Sequence, residues 1–157
     1  MGLRIREILI AIPNNRTKFS LHFRFLQALQ GEHSFPLPDM ILKVENIVYN
    51  ELLIRGYNVD VGIVEVYAKN DEGKTTRKQF EVDFVVNQGS QRYYIQVAYD
   101  MTSEEKQKQE FNSFRNIPDS FKKIVVVNGT KKPWRNEEGF VIMGMKYFLL
   151  NEDSLEF

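Results

Sequence analysis

Two changes of hydrophobic period predict an α/β domain. An apolar stripe at helical spacing comes first, through Ile41, Val44, Val48 and Leu52. A period-two pattern then takes over between Tyr57 and Tyr99, punctuated by turn residues. A third sign is the continuous run Lys123-Ile124-Val125-Val126-Val127, as expected of a central strand covered on both faces. The implied order is helix, three meandering strands, helix and strand, with additions at both ends. That describes a mixed sheet with flanking helices.

Residues 1–38 read as an N-terminal extension and residues 39–157 as the main domain. In the extension, Ile8-Leu9-Ile10-Ala11-Ile12 is a short buried run that stops at Pro13-Asn14-Asn15. Thr17 is expected to cap a helix carrying Phe19, Phe23, Leu26 and Leu29, with Gly31 closing it. Four of the twelve phenylalanines fall between Phe19 and Phe35, which suits either a packed helix or an interaction surface. Ser34-Phe35-Pro36-Leu37-Pro38 reads as a linker-like break.

Asp39 is then expected to cap a helix over residues 40–55, with Ile47 and Ile54 widening its stripe and Gly56 as its stop. Val59, Val61 and Ile63, followed by Val64, Val66 and Ala68, predict a first strand. Asn70-Asp71-Glu72-Gly73 turns into a second, where Phe80, Val82, Phe84 and Val86 alternate with Glu81, Asp83 and Val85. Gln88-Gly89-Ser90 leads to a third, Tyr93 to Tyr99. A capping box, Thr102-Ser103-Glu104-Glu105, opens a charged helix reaching about Asn116. Its acidic start and later lysines suit the helix dipole. Phe140-Val141-Ile142-Met143 adds a strand, and residues 146–150 a short final helix.

Composition removes several classes. The 157 residues carry 21 basic and 21 acidic groups, 43% apolar residues and no cysteine. Low hydrophobicity with high net charge, the mark of disorder, is missing. A disulfide scaffold is excluded. Apolar runs stay far short of the roughly 18 residues a membrane helix needs, so no membrane partner is expected. Zero net charge gives no whole-surface attraction to nucleic acid. Charges interrupt the first apolar run and no small-residue cleavage site follows, so no signal peptide is expected. Asn15-Arg16-Thr17 and Asn128-Gly129-Thr130 are chance sequons, and a reducing cytoplasm is the expected compartment.

Ala68-Lys69-Asn70-Asp71-Glu72-Gly73-Lys74-Thr75 loosely matches a phosphate-binding loop. That chemistry needs a helix whose N-terminus faces the phosphates. Here a strand pattern follows, and Asp71 and Glu72 would repel phosphate. A hairpin tip is the better assignment.

The strand carboxylates are more informative. Glu81 and Asp83 stand two apart and share a face. Gln96 and Ala98 share a face of the adjacent strand, which makes Asp83 and Gln96 neighbours if the hairpin pairs as drawn. Glu45 lies inside an apolar stripe, where a carboxylate must be paired, near a metal, or at the stripe's edge. The plainer alternative makes Glu81 and Asp83 solvent-facing and puts Glu45 at that edge.

Several segments resemble a domain of unknown function that forms the C-terminal part of many prokaryotic AAA-type ATP-binding proteins. They are Val44-Glu45-Asn46-Ile47-Val48-Tyr49-Asn50-Glu51-Leu52-Leu53, Arg55-Gly56-Tyr57-Asn58-Val59, Glu81-Val82-Asp83-Phe84-Val85 and Tyr94-Ile95-Gln96-Val97-Ala98-Tyr99. Glu110-Phe111-Asn112-Ser113-Phe114, residues 117–123 and Tyr147-Phe148-Leu149-Leu150 continue the match, which covers about residues 41–150. Such domains are similar to restriction-endonuclease-like, PD-(D/E)xK folds, and the element order agrees. The resemblance puts Glu45 at the acidic helix position and Asp83 at the motif aspartate. It puts Gln96 where a second acidic ligand stands, and Ala98 where the catalytic lysine stands.

In that motif two carboxylates hold Mg²⁺, and the lysine orients the attacking water and stabilises phosphate charge. Asp83 and Glu45 are therefore the candidate metal ligands and Mg²⁺ the implied cofactor. Gln96 offers only a neutral carbonyl, and Ala98 offers nothing. Losing one electrostatic stabiliser commonly costs ~10²–10³ in rate. A lysine from the next helix, Lys106 or Lys108, is the candidate replacement. Three functions follow from the resemblance. The first is a non-catalytic, nuclease-like accessory domain binding DNA or an AAA-type ATPase core. The second is an active Mg²⁺-dependent nuclease with a relocated lysine, and the third a docking domain without nucleic-acid contact.

Overall fold

The computed structural model describes residues 5–8, 37–69 and 75–157. The elements are β1 (Ile5–Ile8), α1 (Leu37–Ile54), β2 (Asn58–Lys69), β3 (Thr75–Gln88), β4 (Gln91–Ala98), α2 (Glu104–Arg115), β5 (Lys122–Val127), β6 (Trp134–Arg135), β7 (Val141–Gly144), α3 (Met145–Leu150) and a closing 3-10 turn, Ser154–Glu156. One mixed sheet joins the strands in the order β1-β2-β3-β4-β5-β7-β6. Strands β1 to β4 are antiparallel, whereas β4, β5 and β7 run parallel and β6 returns antiparallel to β7. Parallel neighbours need a crossover, and α2 supplies the one between β4 and β5.

The expected element order holds, with corrections at the ends. Helix α1 begins at Leu37, so the linker-like prolines include its opening: Pro38 stands in the first turn, where a missing N–H breaks no intrahelical bond. The cap of α2 is Ser103, whose hydroxyl accepts from Lys106 N–H, while the Thr102 hydroxyl donates to Asp100. Strand β6 and the 3-10 turn carry too few residues for periodicity to register. Strand β3 follows the phosphate-loop look-alike, so the helix that such a loop requires is not there. The loop tip and the expected Thr17–Gly31 helix lie outside the described residues.

The sheet is covered on both faces. Val44, Ile47, Val48 and Leu52 of α1 lie on one face with Phe84, Val86, Ile95 and Val97. Phe111 and Phe114 of α2 lie on the other with Val82, Val85, Tyr94 and Ala98. Ile124, Val125 and Val126 of β5 are fully buried between them, which explains their unbroken apolar run.

Strand β3 departs from simple alternation. Asp60 pairs with Val85, but Gly62 pairs with Val82, so Asp83 and Phe84 together oppose Val61. This is a β-bulge. The expectation that Phe80, Val82 and Phe84 share a core face is therefore wrong. Phe80, Val82 and Val85 pack on the α2 face, while Phe84 and Val86 pack on the α1 face. Gly62 makes the bulge fit, because a Cβ there would stand 2.6 Å from Val85 Cγ2 and 3.4 Å from Val82 Cβ.

Arg55 ties the C-terminal end of α1 to the chain's last turns. Its guanidinium pairs with Glu51 at 2.9 Å, donates to Ser154 Oγ at 2.8 Å and to the carbonyl of Glu152, and also donates to the carbonyl of Phe148. It lies 4.6 Å from the Phe148 ring centroid. The side chain is only 6% exposed, so removing it strands a carboxylate and a helix-end carbonyl away from water. Arg55→Ala should cost about 3 kcal/mol, seen as a lower urea midpoint at unchanged slope. Arg55→Lys should recover less than half, because an ammonium cannot reproduce the planar fork. An unchanged midpoint in Arg55→Ala would remove this staple from the account.

Candidate functional site

Pairing between β3 and β4 runs from Gln88↔Gln91 to Phe84↔Ile95 and stops there. Beyond it, where the bulge turns β3 away, the Asp83 side chain enters the gap. Its Oδ2 accepts Val97 N–H at 2.7 Å. The Gln96 amide donates to Asp83 Oδ1 at 3.3 Å, and Asp83 N–H donates back to Gln96 Oε1 at 3.4 Å. Side chains thus complete the ladder that the backbones abandon.

Other carboxylates surround this pair. Glu45 is half-buried on α1 between Val44 and Val48, and Glu110 is half-buried on α2 beside Phe111. Burial pushes Asp83 up to about 8, with Glu45, Glu110 and Glu81 adding to the rise against the opposing Val97 N–H. Glu45 is raised by burial and then by Glu81. Glu110 is raised by burial and by Glu45, while a hydrogen bond from Gln96 works against the rise. Desolvation disfavours the charged form and like charges add to it. The neutral form of the Asp83 carboxyl is therefore favoured well above the usual carboxylate range.

Asp83 and Gln96 are thus neighbours, as adjacent strands imply, and the Glu45 charge adds to the rise of Asp83. Glu110 joins them and was not singled out, although it flanks an aromatic stripe just as Glu45 flanks an aliphatic one. Ala98 is sealed under α2, against Phe111 and Phe114. The candidate replacement lysines are engaged elsewhere: Lys106 pairs with Asp100 at 2.7 Å, and Lys108 lies 3.9 Å from Glu104. Among the described residues, none of the ion pairs involves Glu45, Glu81, Asp83 or Glu110.

The donor set suits Mg²⁺ poorly. That ion wants near-octahedral hard oxygens, whereas both Asp83 oxygens already accept hydrogen bonds and Gln96 is neutral. Among the described residues, no group of three or more His, Cys, Asp or Glu is arranged to hold a metal ion.

A family model described as Domain of unknown function (DUF4143) matches residues 43–148. The chain belongs to this family. The matched span takes in Glu45, Asp83, Gln96, Ala98 and Glu110, so the whole β3–β4 gap lies inside the DUF4143 domain. An uncharacterized protein of Haemophilus influenzae is 32% identical over 84 residues, which are 54% of this chain and 17% of that protein. The chain thus spans less than a fifth of that relative. No solved structure gives a significant match.

The raised Asp83 makes a pH prediction. The folded protein keeps this proton to about pH 8, whereas the unfolded chain releases it near pH ~4. Between those limits folding takes up a proton, so stability falls as pH rises and levels off above pH 8. One such group changes stability by at most about 1.4 kcal/mol per pH unit. Asp83→Asn cannot ionise, so its stability should vary less from pH 5 to 8 and exceed wild type at pH 8. Urea titrations across that range check this; parallel curves for the two proteins would refute it.

Proposed function

We propose that this DUF4143 domain is a non-catalytic, nuclease-like accessory domain that acts by binding, in company with an AAA-type ATPase core. The observation that carries this reading is the condition of the β3–β4 gap. Asp83 and Gln96 are hydrogen-bonded there, with Glu45 among the charges that act on Asp83, and these are residue types that a degenerate restriction-endonuclease-like site would supply. The raised Asp83 carboxyl, and a buried Ala98 where the resemblance puts the cation, speak against hydrolysis. Hydrolysis of a phosphodiester requires charge stabilisation at the phosphate. A cluster of carboxylates without a neighbouring cation repels that phosphate. The much greater length of the Haemophilus relative suits a module of a larger protein.

Duplex DNA incubated with the protein and Mg²⁺ or Mn²⁺ should remain intact. Cleavage that disappears in Asp83→Ala would overturn the non-catalytic assignment and favour a nuclease with a relocated lysine. DNA affinity measured against salt then identifies what is bound, since each phosphate contact steepens the slope by about 0.9. A steep slope means DNA. No binding at low salt leaves the ATPase core as the partner.

A further inference from the structure

A second opening lies away from the acidic gap. Tyr99 follows β4, Asn128 follows β5 and Gly144 ends β7, and all three line a cleft of about 740 Å³. Met101, Phe111, Val127 and Ile142 supply its apolar lining, and Glu45, Asp83, Gln96 and Glu110 take no part in it. Helix α2 stands on one side of the cleft and the β6–β7 hairpin on the other.

That hairpin is unevenly fixed. Strand β6 is an edge strand of two residues, paired through Trp134↔Ile142 and Arg135↔Val141. Both residues are exposed, and so short a strand makes few ladder bonds. On either side of it the chain is held more firmly. Before it, the Lys131 carbonyl accepts Gly144 N–H at 2.9 Å. After it, Phe140 is 7% exposed, with its ring centroid 5.4 Å from that of Phe111 and 5.5 Å from that of Phe114. The tip between is a turn closed on itself. Asn136 N–H donates to the Phe140 carbonyl and Gly139 N–H to the Asn136 carbonyl, both at 3.0 Å, while Asn136 Oδ1 accepts Phe140 N–H at 2.8 Å. Gly139 has a φ of +81°, a conformation that favours glycine.

One polar contact joins this span to α2. Glu138 receives both arms of the Arg115 guanidinium, Nε to Oε2 at 2.7 Å and Nη2 to Oε1 at 2.6 Å. Arg115 is the last residue of α2 and also lies 5.9 Å from the Phe111 ring centroid. Each partner is 39% exposed, so water and salt reach the pair. A two-armed fork is nevertheless the strong form of a surface ion pair. Among the described residues no other ion pair links α2 to β6 or β7. On the strand itself, Arg135 donates to the Phe157 carbonyl oxygen at 2.7 Å, a tether that does not reach α2.

We propose that residues 132–139 form a strap beside this cleft, and that the Arg115–Glu138 pair is the clasp that holds the strap against α2. With the clasp open, the strap swings between Lys131 and Gly139, while Phe140 and β7 stay in the core. The way to the apolar lining then widens. Salt weakens an exposed pair, so ionic strength sets how often the strap is open. The clasp is separate from the β3–β4 gap and does not depend on the function proposed for it.

Amide hydrogen exchange on the full chain tests this, because local opening exposes the amides it frees. At low salt, Arg115→Gln should speed exchange across residues 134–139 about threefold, the weight of one well-made exposed ion pair. Glu138→Gln should match it. Both side chains are well exposed, so the variants should fold, and exchange in β4 should stay as in wild type. Salt at about 0.5 M should bring wild type to the level of Arg115→Gln and leave that variant where it was. Arg115→Glu combined with Glu138→Arg should restore the slow exchange that either reversal alone loses. Trp134 is the only tryptophan in the chain, so its quenching by neutral acrylamide should rise in step with the exchange. Equal exchange at residues 134–139 in wild type and Arg115→Gln at low salt overturns the proposal. So does a salt effect of equal size in the two proteins, or acceleration that spreads equally through β4.

Discussion

One extra residue in β3 sets the geometry around it. With Asp83 and Phe84 sharing a place opposite Val61, the strand changes which residues it presents to each helix. Val82 and Val85 both turn to α2, and Phe84 and Val86 turn to α1. A sheet buried on both faces tolerates this only if something yields where two valines crowd one side. Gly62 yields, by having no side chain at all. The same bulge ends the pairing of β3 with β4 and opens the gap that Asp83 fills. Bulges re-aim side chains and terminate ladders, and both effects occur here at one residue.

The sheet contains a buried carboxylate, Glu65, and a partly buried one, Asp83, with opposite solutions. Glu65, 4% exposed, receives Arg77 at 2.5 Å, the Tyr67 hydroxyl at 2.9 Å and the Gln79 amide at 3.2 Å. Its charge is met by a cation and by donors, as a structural ion pair requires. Asp83 has donors but no cation, and its charged neighbours are acidic. Burying a carboxylate in such company is relieved by protonation rather than by pairing. A chain that can build the first arrangement on β2 has no packing reason to build the second on β3.

Much of this was legible in the sequence, for identifiable reasons. Helix α1, the meander and β5 follow from periodicity, because each buries a full stripe or a full run. The meeting of Asp83 and Gln96 follows from adjacent strands. The facing of β3 was not legible, since a bulge adds one residue without altering composition, and Phe84 is apolar on either face. Glu110 went unremarked because a lone glutamate on a charged helix carries no signal until the fold shows what lies beneath it. The start of α1 was misplaced because two prolines read as a break, although the first turn of a helix tolerates proline.

The short side chain of Ala98 is a matter of packing. Phe111 and Phe114 of α2 belong to the same buried cluster as this residue. The helix's entry is fixed by the Ser103 cap and by the Lys106–Asp100 pair at the corner leaving β4. A lysine at residue 98 would have to leave its aliphatic stem under two phenylalanines and carry its ammonium out past them. Burying that charge is expensive, and lifting α2 would uncover Tyr94 and Val125 beneath it. The short side chain is therefore what lets α2 close on β4. That closure holds Glu110 near Gln96 on one side of the helix and Phe111 at the cleft on the other.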